Sequence, residues 1–399
     1  MTLRNGREFL SIPGPSTIPD DVLSAMHRPA VDIYSGGLVD TTMSCLDDLR
    51  RLFNTAGQTY IYAANGHGAW EAALVNVLSR GDKVLVLASG LFAPLWGEMA
   101  SMLEIDVEIL PSDGHHAVDP VALEQRLRDD PAHEIKAVLV VQVDTASSVV
   151  NPVPALRQAI DNTGHSALFM VDTIASLATM PFKMDEWGVD VAVSGSQKGL
   201  MTPPGLSFVA AGEKAQAAHQ HANLRTYYWD WTERNKPIHY KKYCGTPPEH
   251  LLFGLRKALD ILFAEGLENV FQRHQILAEA VRRAVTVWSS EGTMAFNVRQ
   301  PETRANSVTT ILANGFEPAR LIDFCDRICG VIIGVAIGPL EDRAFRIAHM
   351  GHVNAPMILG TLGAVEVGLN ALAIPHGKGG VQAAIDWLAE SVEMPASGS

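Results

Sequence analysis

The sequence predicts an α/β protein: a large domain built on a mostly parallel sheet flanked by helices, followed by a smaller C-terminal α+β domain. Three observations carry this. The chain has 399 residues, more than one ordinary domain holds. From about residue 58, short apolar runs alternate with longer amphipathic ones, the pattern of strands joined by helices. After about residue 250 a long helical pattern begins, which reads as the link to a second domain. On this reading residues 1–20 form an N-terminal arm, 21–265 the large domain and 266–399 the small one.

Taken in order, SIPGPSTIPDDV is rich in Pro and Ser and reads as an extended arm leading into a helix capped near Asp20. KVLVLASG (83–90), IKAVLVVQVD (135–144), ALFMVD (167–172) and VDVAVSGS (189–196) are apolar enough to be strands buried on both faces. AWEAALVNVLSRG, PVALEQRLRDD and VPALRQAIDNTG lie between them with helical spacing. HLLFGLRKALDILFAEGLENVFQRHQILAEAVRRAVTVW is the linking helical pattern. SVTTILA and VIIGVAIG then supply strands, and residues 355–372 and 379–391 supply helices. In parallel sheets, ligands sit beyond the carboxyl ends of the strands. Chemistry is therefore expected just after residues 88, 143, 171 and 194.

Composition narrows the function classes. The chain is 47% hydrophobic and 19% charged, which suits a soluble protein with a large core. Its 31 basic and 44 acidic residues give a formal charge of -13. That acidity argues against nucleic acid or anionic lipid as a partner, and an anionic substrate needs a local positive site. Cys45, Cys244, Cys325 and Cys329 form no close CxxC pair, so reduced thiols in a cytoplasmic protein are expected, and no metal site. The opening MTLRNGREFLSIPGP is charged and reaches Pro-Gly-Pro before any long apolar run, unlike a signal peptide. No run of about 18 apolar residues suggests a membrane span.

The residues with chemical content fall where the sheet rule places them. SGSQKGL puts Lys198 directly after a strand, in a Ser/Gly-rich turn flanked by apolar sequence. Partial burial there lowers the pKa of an amine, which a Schiff base to an aldehyde requires. The structural alternative is a lysine that only contacts backbone carbonyls. Asp172 ends the apolar strand ALFMVD, 26 residues earlier. A carboxylate in such a place is costly unless it meets a cation or strong donors, and a pyridinium nitrogen is one such partner. One βαβ step brings both residues to the same sheet edge. In AANGHGAWEAAL, Asn65, Gly66 and His67 form a turn that opens a helix, where free N–H groups favour a phosphate. Many such turns are merely caps. Beside Lys198 and Asp172, a phosphate cradle is the better reading.

These residues resemble a family: the class V aminotransferases of pyridoxal 5′-phosphate (PLP) fold type I, in the alanine/serine–glyoxylate branch. The resemblance runs over nearly the whole chain, through PGPSTIP, NGHGAWEAAL, DEWGVDVAVSGSQKGLMTPPGL, EGLENVFQRH and FRIAHMG. The third block looks most like bacterial serine–glyoxylate enzymes. It implies a seven-stranded, mostly parallel sheet in the large domain. It makes Lys198 the Schiff-base lysine and general acid/base, and Asp172 the partner of the pyridine nitrogen. Phe92 and Ile174 would cover the two ring faces, and Thr145 would contact the phenolic oxygen. Asn65, Gly66, His67 and Gln197 would bind phosphate. Tyr243 and Thr246 would reach it from the other subunit of a homodimer, or of a tetramer built from such dimers. Arg346 would hold the substrate carboxylate bidentately, with Tyr34 and Gly14 also on the substrate side.

Three departures lie near the substrate. DIYSGG (32–37) stands where glyoxylate enzymes often carry a His-Arg-Ser turn. Asp144-Thr145-Ala146-Ser147-Ser148 replaces a Glu-Thr-x-Thr-Gly turn, and Arg-Ile-Ala replaces Arg-Ile-Gly. The implied reaction is ping-pong transfer of the amino group of serine, alanine or aspartate to glyoxylate or pyruvate. Tyr34 and the Asp-Thr turn also resemble pyridoxamine–pyruvate aminotransferase, although that enzyme's second arginine is Ile337 here. A PLP lyase such as a cysteine desulfurase needs a mobile cysteine, with Cys325 or Cys329 in roughly the right part of the chain. It also carries histidine where this chain has Gln197. A non-catalytic PLP-fold binding protein is expected to lack Lys198 or Asp172.

Overall fold

The computed structural model describes residues 3–392 and contains two sheets. Twelve strands run along the described residues: β1 (Phe9–Ser11), β2 (Gln58–Tyr62), β3 (Lys83–Leu87), β4 (Asp106–Leu110), β5 (Ile135–Val141), β6 (Leu168–Asp172), β7 (Val191–Gly195), β8 (Ser207–Ala211), β9 (Met294–Phe296), β10 (Val308–Ala313), β11 (Val331–Val335) and β12 (Ala344–Ala348). The larger sheet has seven strands in the order β2-β8-β7-β6-β5-β3-β4. Pairing is parallel from β7 through β6, β5 and β3 to β4, while β8 runs antiparallel to both its neighbours.

Strands β6, β7 and β8 are buried at every residue, which is why β6 and β7 read as apolar runs rather than alternating ones. Alternate side chains serve opposite faces. Leu85 and Leu87 pack with helices Gly37–Phe53, Pro120–Arg128, Val153–Thr163 and Glu249–Glu265. Val84 and Val86 pack with helices Gly66–Val77 and Phe92–Met102. The result is an α/β architecture with helices on both faces of a mostly parallel sheet.

The smaller sheet has the order β1-β11-β12-β10-β9 and is antiparallel except for β1 against β11. Helices Leu267–Trp288, Ala355–Ala371 and Gly380–Ser391 pack on it. The arm thus supplies an edge strand that its Pro-rich sequence did not announce. The helix expected to be capped near Asp20 begins there instead. Pro19 holds the cap position without a side-chain bond, and Asp20 and Asp21 lie in the first turn, where the helix dipole favours them. The long helical pattern is two helices broken at Gly266, whose φ of 86° few other residues adopt. Among the described residues, no helix is long and apolar enough to cross a membrane.

Candidate active site

Strands β6 and β7 are adjacent and parallel, with Asp172 opposite Val193. The connection between them is a series of turns, not the expected helix. It nevertheless returns the chain so that Asp172 ends β6 and Lys198 follows β7 by three residues, both at the sheet's carboxyl edge. The lysine turn is pinned: Ser196 Oγ donates to the Pro203 carbonyl at 2.7 Å, and Thr202 Oγ1 donates to the Ser196 carbonyl at 2.9 Å. Asp172 and Lys198 line one cavity of about 250 Å³.

Their environments push the two pKa values towards each other. Burial raises the Asp172 carboxyl to about 7, against hydrogen bonds from Ile174 N at 2.6 Å and Trp70 Nε1 at 2.7 Å. Burial, followed by the positive charge of Arg346, lowers the Lys198 amine to about 8. Lys198 Nζ donates to the Pro13 carbonyl, and Ser16 Oγ donates to the Lys198 carbonyl at 2.7 Å. Gly14, with φ 106°, crosses the lysine so closely that a Cβ would lie 2.6 Å from Nζ.

Asn65 caps helix Gly66–Val77, its side chain accepting from Gly68 N at 3.3 Å. Asn65, Gly66, His67, Phe92, Thr145, Ile174 and Gln197 all line the same cavity. Gly66 has no room for a Cβ because the Ile174 side chain presses on it. Trp70 is a functional residue that the sequence reading missed. It lines the cavity, holds Asp172, and packs against His67, Phe92 and Trp96 with ring centroids 4.6, 6.4 and 5.8 Å away. Its signal was its place one helical turn after His67 in NGHGAW, on the face that carries the turn of Asn65, Gly66 and His67.

Arg346 lies in β12, buried, and donates from Nε to the Val335 carbonyl and from Nη1 to the Thr145 carbonyl, both at 2.7 Å. That second bond ties the smaller sheet to the cavity wall. Five expected residues do not line the cavity: Arg346 and Gly14 touch its wall through Thr145 and Lys198, and Tyr243, Thr246 and Tyr34 lie elsewhere. Tyr243 is turned into its own subunit's core, where its hydroxyl meets Thr42 Oγ1 at 2.9 Å, so the side chain does not project outward as expected. Thr246 is exposed, and Tyr34 is 71% exposed beside Tyr240.

The cavity suits PLP on its own features. Asp172 has no cation in contact and would gain one from a pyridinium nitrogen, and the amine of Lys198 is already depressed towards its neutral form. Gln197 Oε1 is buried without a partner in the wall, beside the helix N-terminus at Asn65 and Gly66. Such an orphaned amide is what a bound polar group would satisfy. Among the described residues, no cluster fit to hold a metal ion occurs.

Comparison with known proteins extends this agreement along the chain. The family model "Aminotransferase class-V" matches residues 13–339. A serine–glyoxylate aminotransferase of Methylorubrum extorquens is 40% identical, covering 98% of each chain. An L-aspartate–glyoxylate aminotransferase of Paracoccus denitrificans is 35% identical over 94% of each. The crystal structure of pyridoxamine–pyruvate aminotransferase from Mesorhizobium loti superposes with a TM-score of 0.88 at 23% identity, covering 98% of this chain and all of that one, which speaks for the fold alone. On the family match and these identities, the chain belongs to the class V aminotransferases, which work with PLP.

Proposed function

We propose that this aminotransferase moves the amino group of a small amino acid (serine, alanine or aspartate) to glyoxylate or pyruvate by a ping-pong cycle. The observation that carries the reading is the convergence of Lys198 and Asp172 on one cavity, next to a buried arginine. PLP, when bound, supplies an aldehyde for the amine and an electron-accepting ring. Lys198 Nζ, with a pKa near 8, is neutral in an appreciable fraction and takes and returns the substrate α-proton. Asp172 holds negative charge against the ring nitrogen, and Phe92 and Ile174 wall the two faces. Thr145 meets the phenolic oxygen, while Asn65, Gly66, His67 and Gln197 take the phosphate. Arg346 holds the substrate carboxylate, and Gly14, packed on Lys198, lies on the substrate side. Relatives named for serine and for aspartate with glyoxylate support the substrate range.

A homodimer with shared sites completes this reading, Thr246 and Tyr34 being exposed and available to a partner. The free cysteines are in keeping with a cytoplasmic location. Pyridoxamine–pyruvate transfer finds less support, because Ile337 cannot act as a second cation for pyruvate. A desulfurase reading meets Cys325 buried in the core, its thiol pushed up to about 12. Such a thiol is not a nucleophile.

A half-reaction screen tests the proposal. Adding serine, alanine or aspartate to the purified PLP-bound protein should bleach its long-wavelength absorbance and release the matching oxo acid. Lys198→Ala should abolish that response. Arg346→Ala should raise KM for carboxylate substrates at least about tenfold while PLP stays bound. Protein that carries PLP but responds to none of the three donors defeats the reading.

A further inference from the structure

Asp144 has no part in the chemistry above, yet it is fully buried beside the cavity, three residues after β5. A carboxylate taken out of water is costly unless donors and charge compensate it. Its Oδ2 accepts from Phe92 N at 2.8 Å, and its Oδ1 accepts from Ala146 N at 2.9 Å and Ser147 N at 3.1 Å. Its backbone closes the same turn: Asp144 N donates to the Val149 carbonyl at 3.1 Å, and its carbonyl accepts from Ser148 N at 2.7 Å. Gly90 approaches so closely that a Cβ there would overlap the carboxylate.

These side-chain contacts are all donors, and a protonated acid would need an acceptor in their place. These donors favour the anionic form, while burial pushes the pKa up. Arg346 is the cation whose charge it stabilises. Arg346 also donates to the Thr145 carbonyl, one residue further on. The start of helix Phe92–Met102 and the turn after Thr145 thus meet on one carboxylate, and Arg346 of β12 is held to that turn through the Thr145 carbonyl.

We propose that Asp144 is a positioning residue whose buried carboxylate fixes Phe92, Thr145 and Arg346 in register, coupling the ring-facing wall to the substrate-binding arginine. The proposal rests on the transaminase reading and deepens it. A misplacement of about 1 Å at such groups costs up to a hundredfold in rate. The requirement is for charge and shape together: the carboxylate lies so close to Gly90 that a Cβ there would displace it.

Two variants, studied as PLP-bound proteins, test it. Asp144→Asn keeps the shape but sets an amide N–H against a backbone N–H and removes the charge facing Arg346. Gly90→Ala keeps the acid and displaces it. Both should raise KM for donor and acceptor about tenfold, lower kcat less, and weaken PLP binding several-fold. Leu321→Ala, in the core of the smaller sheet, serves as the control for stability loss alone. KM values and a PLP dissociation constant within twofold of wild type in either folded variant overturn the proposal. So does an equal KM rise in the control, or a failure of both variants to fold. If Asp144→Asn alone fails to fold, Gly90→Ala decides. A wild-type protein that reacts with no donor defeats the transaminase reading instead, and the PLP dissociation constants still judge Asp144.

Discussion

Asp172 and Lys198 set opposite slopes on the stability of the cofactor-free protein. Asp172 has its pKa raised from 3.8 to about 7, so between those values the folded state binds more protons than the unfolded one. Stability is therefore present at low pH and is lost as pH rises through that window. Lys198 has its pKa lowered from 10.5 to about 8, so the unfolded state binds more protons between those values, and stability rises with pH there. The two effects place a minimum near neutral pH, where a cation against Asp172 relieves the cost. Asp172→Asn should remove the acid-side slope. In PLP-free protein, the wild type should lose up to about 4 kcal/mol between pH 4 and 7 that the variant keeps. Turnover of the variant should fall by at least about a hundredfold. Denaturant melts of both proteins at several pH values check this, and equal slopes would refute the Asp172 assignment. The lysine and the aspartate were legible because a charged side chain ending an apolar strand demands an explanation. Trp70 was not, since a tryptophan at helical spacing looks like ordinary core. Nor was the direction of Tyr243, because one residue's side of a tight 3₁₀ turn leaves no periodic signal.

At the scale of elements, the central strands were legible because burial on both faces leaves uninterrupted apolar runs. The edge strands were not. β1 and β9 have three residues each, too few for a pattern, and they exist because a partner strand is present. β12 was read only as the carrier of Arg346, and the helix break at Gly266 was hidden inside a continuous amphipathic pattern. The arm shows what this concealed. It pairs with β11 through Phe9–Ser11, then turns at Gly14 over Lys198, so it joins the smaller sheet to the catalytic turn. Gly14 is held at φ 106°, a conformation costly for other residues, and its missing Cβ is the space the lysine occupies. Gly14→Ala should displace Lys198 and lower PLP affinity about tenfold, with a change in melting temperature too small to explain it. Titration of the PLP-free variant with PLP, followed by absorbance, reads the effect. Unaltered affinity would mean that the arm yields without moving the lysine.

For the whole molecule, the question is whether one chain makes a complete site. Its cavity gathers the lysine, the aspartate, the ring walls and the phosphate turn, while Thr246 stays exposed on the segment that also exposes Tyr227, Tyr228 and Ile238. The proposed homodimer would cover such exposed apolar and aromatic side chains, and Tyr34 and Met43 are exposed too. In the proposed two-fold dimer the same patch would meet itself, and on that reading Thr246 of each subunit would reach the other's cavity. Thr246→Glu should then damage the partner's phosphate site by charge repulsion while leaving the variant's own lysine intact. Alone, Lys198→Ala and Thr246→Glu should each be nearly inactive. Mixed dimers should not be. The Thr246→Glu chain keeps Lys198 and receives an intact Thr246 from its partner, so each hybrid contains one complete site. Co-expression with distinct affinity tags, purification of the hybrid and assay should give about half the turnover of a wild-type dimer. If Thr246 instead serves its own subunit, both sites in the hybrid are broken and no activity returns.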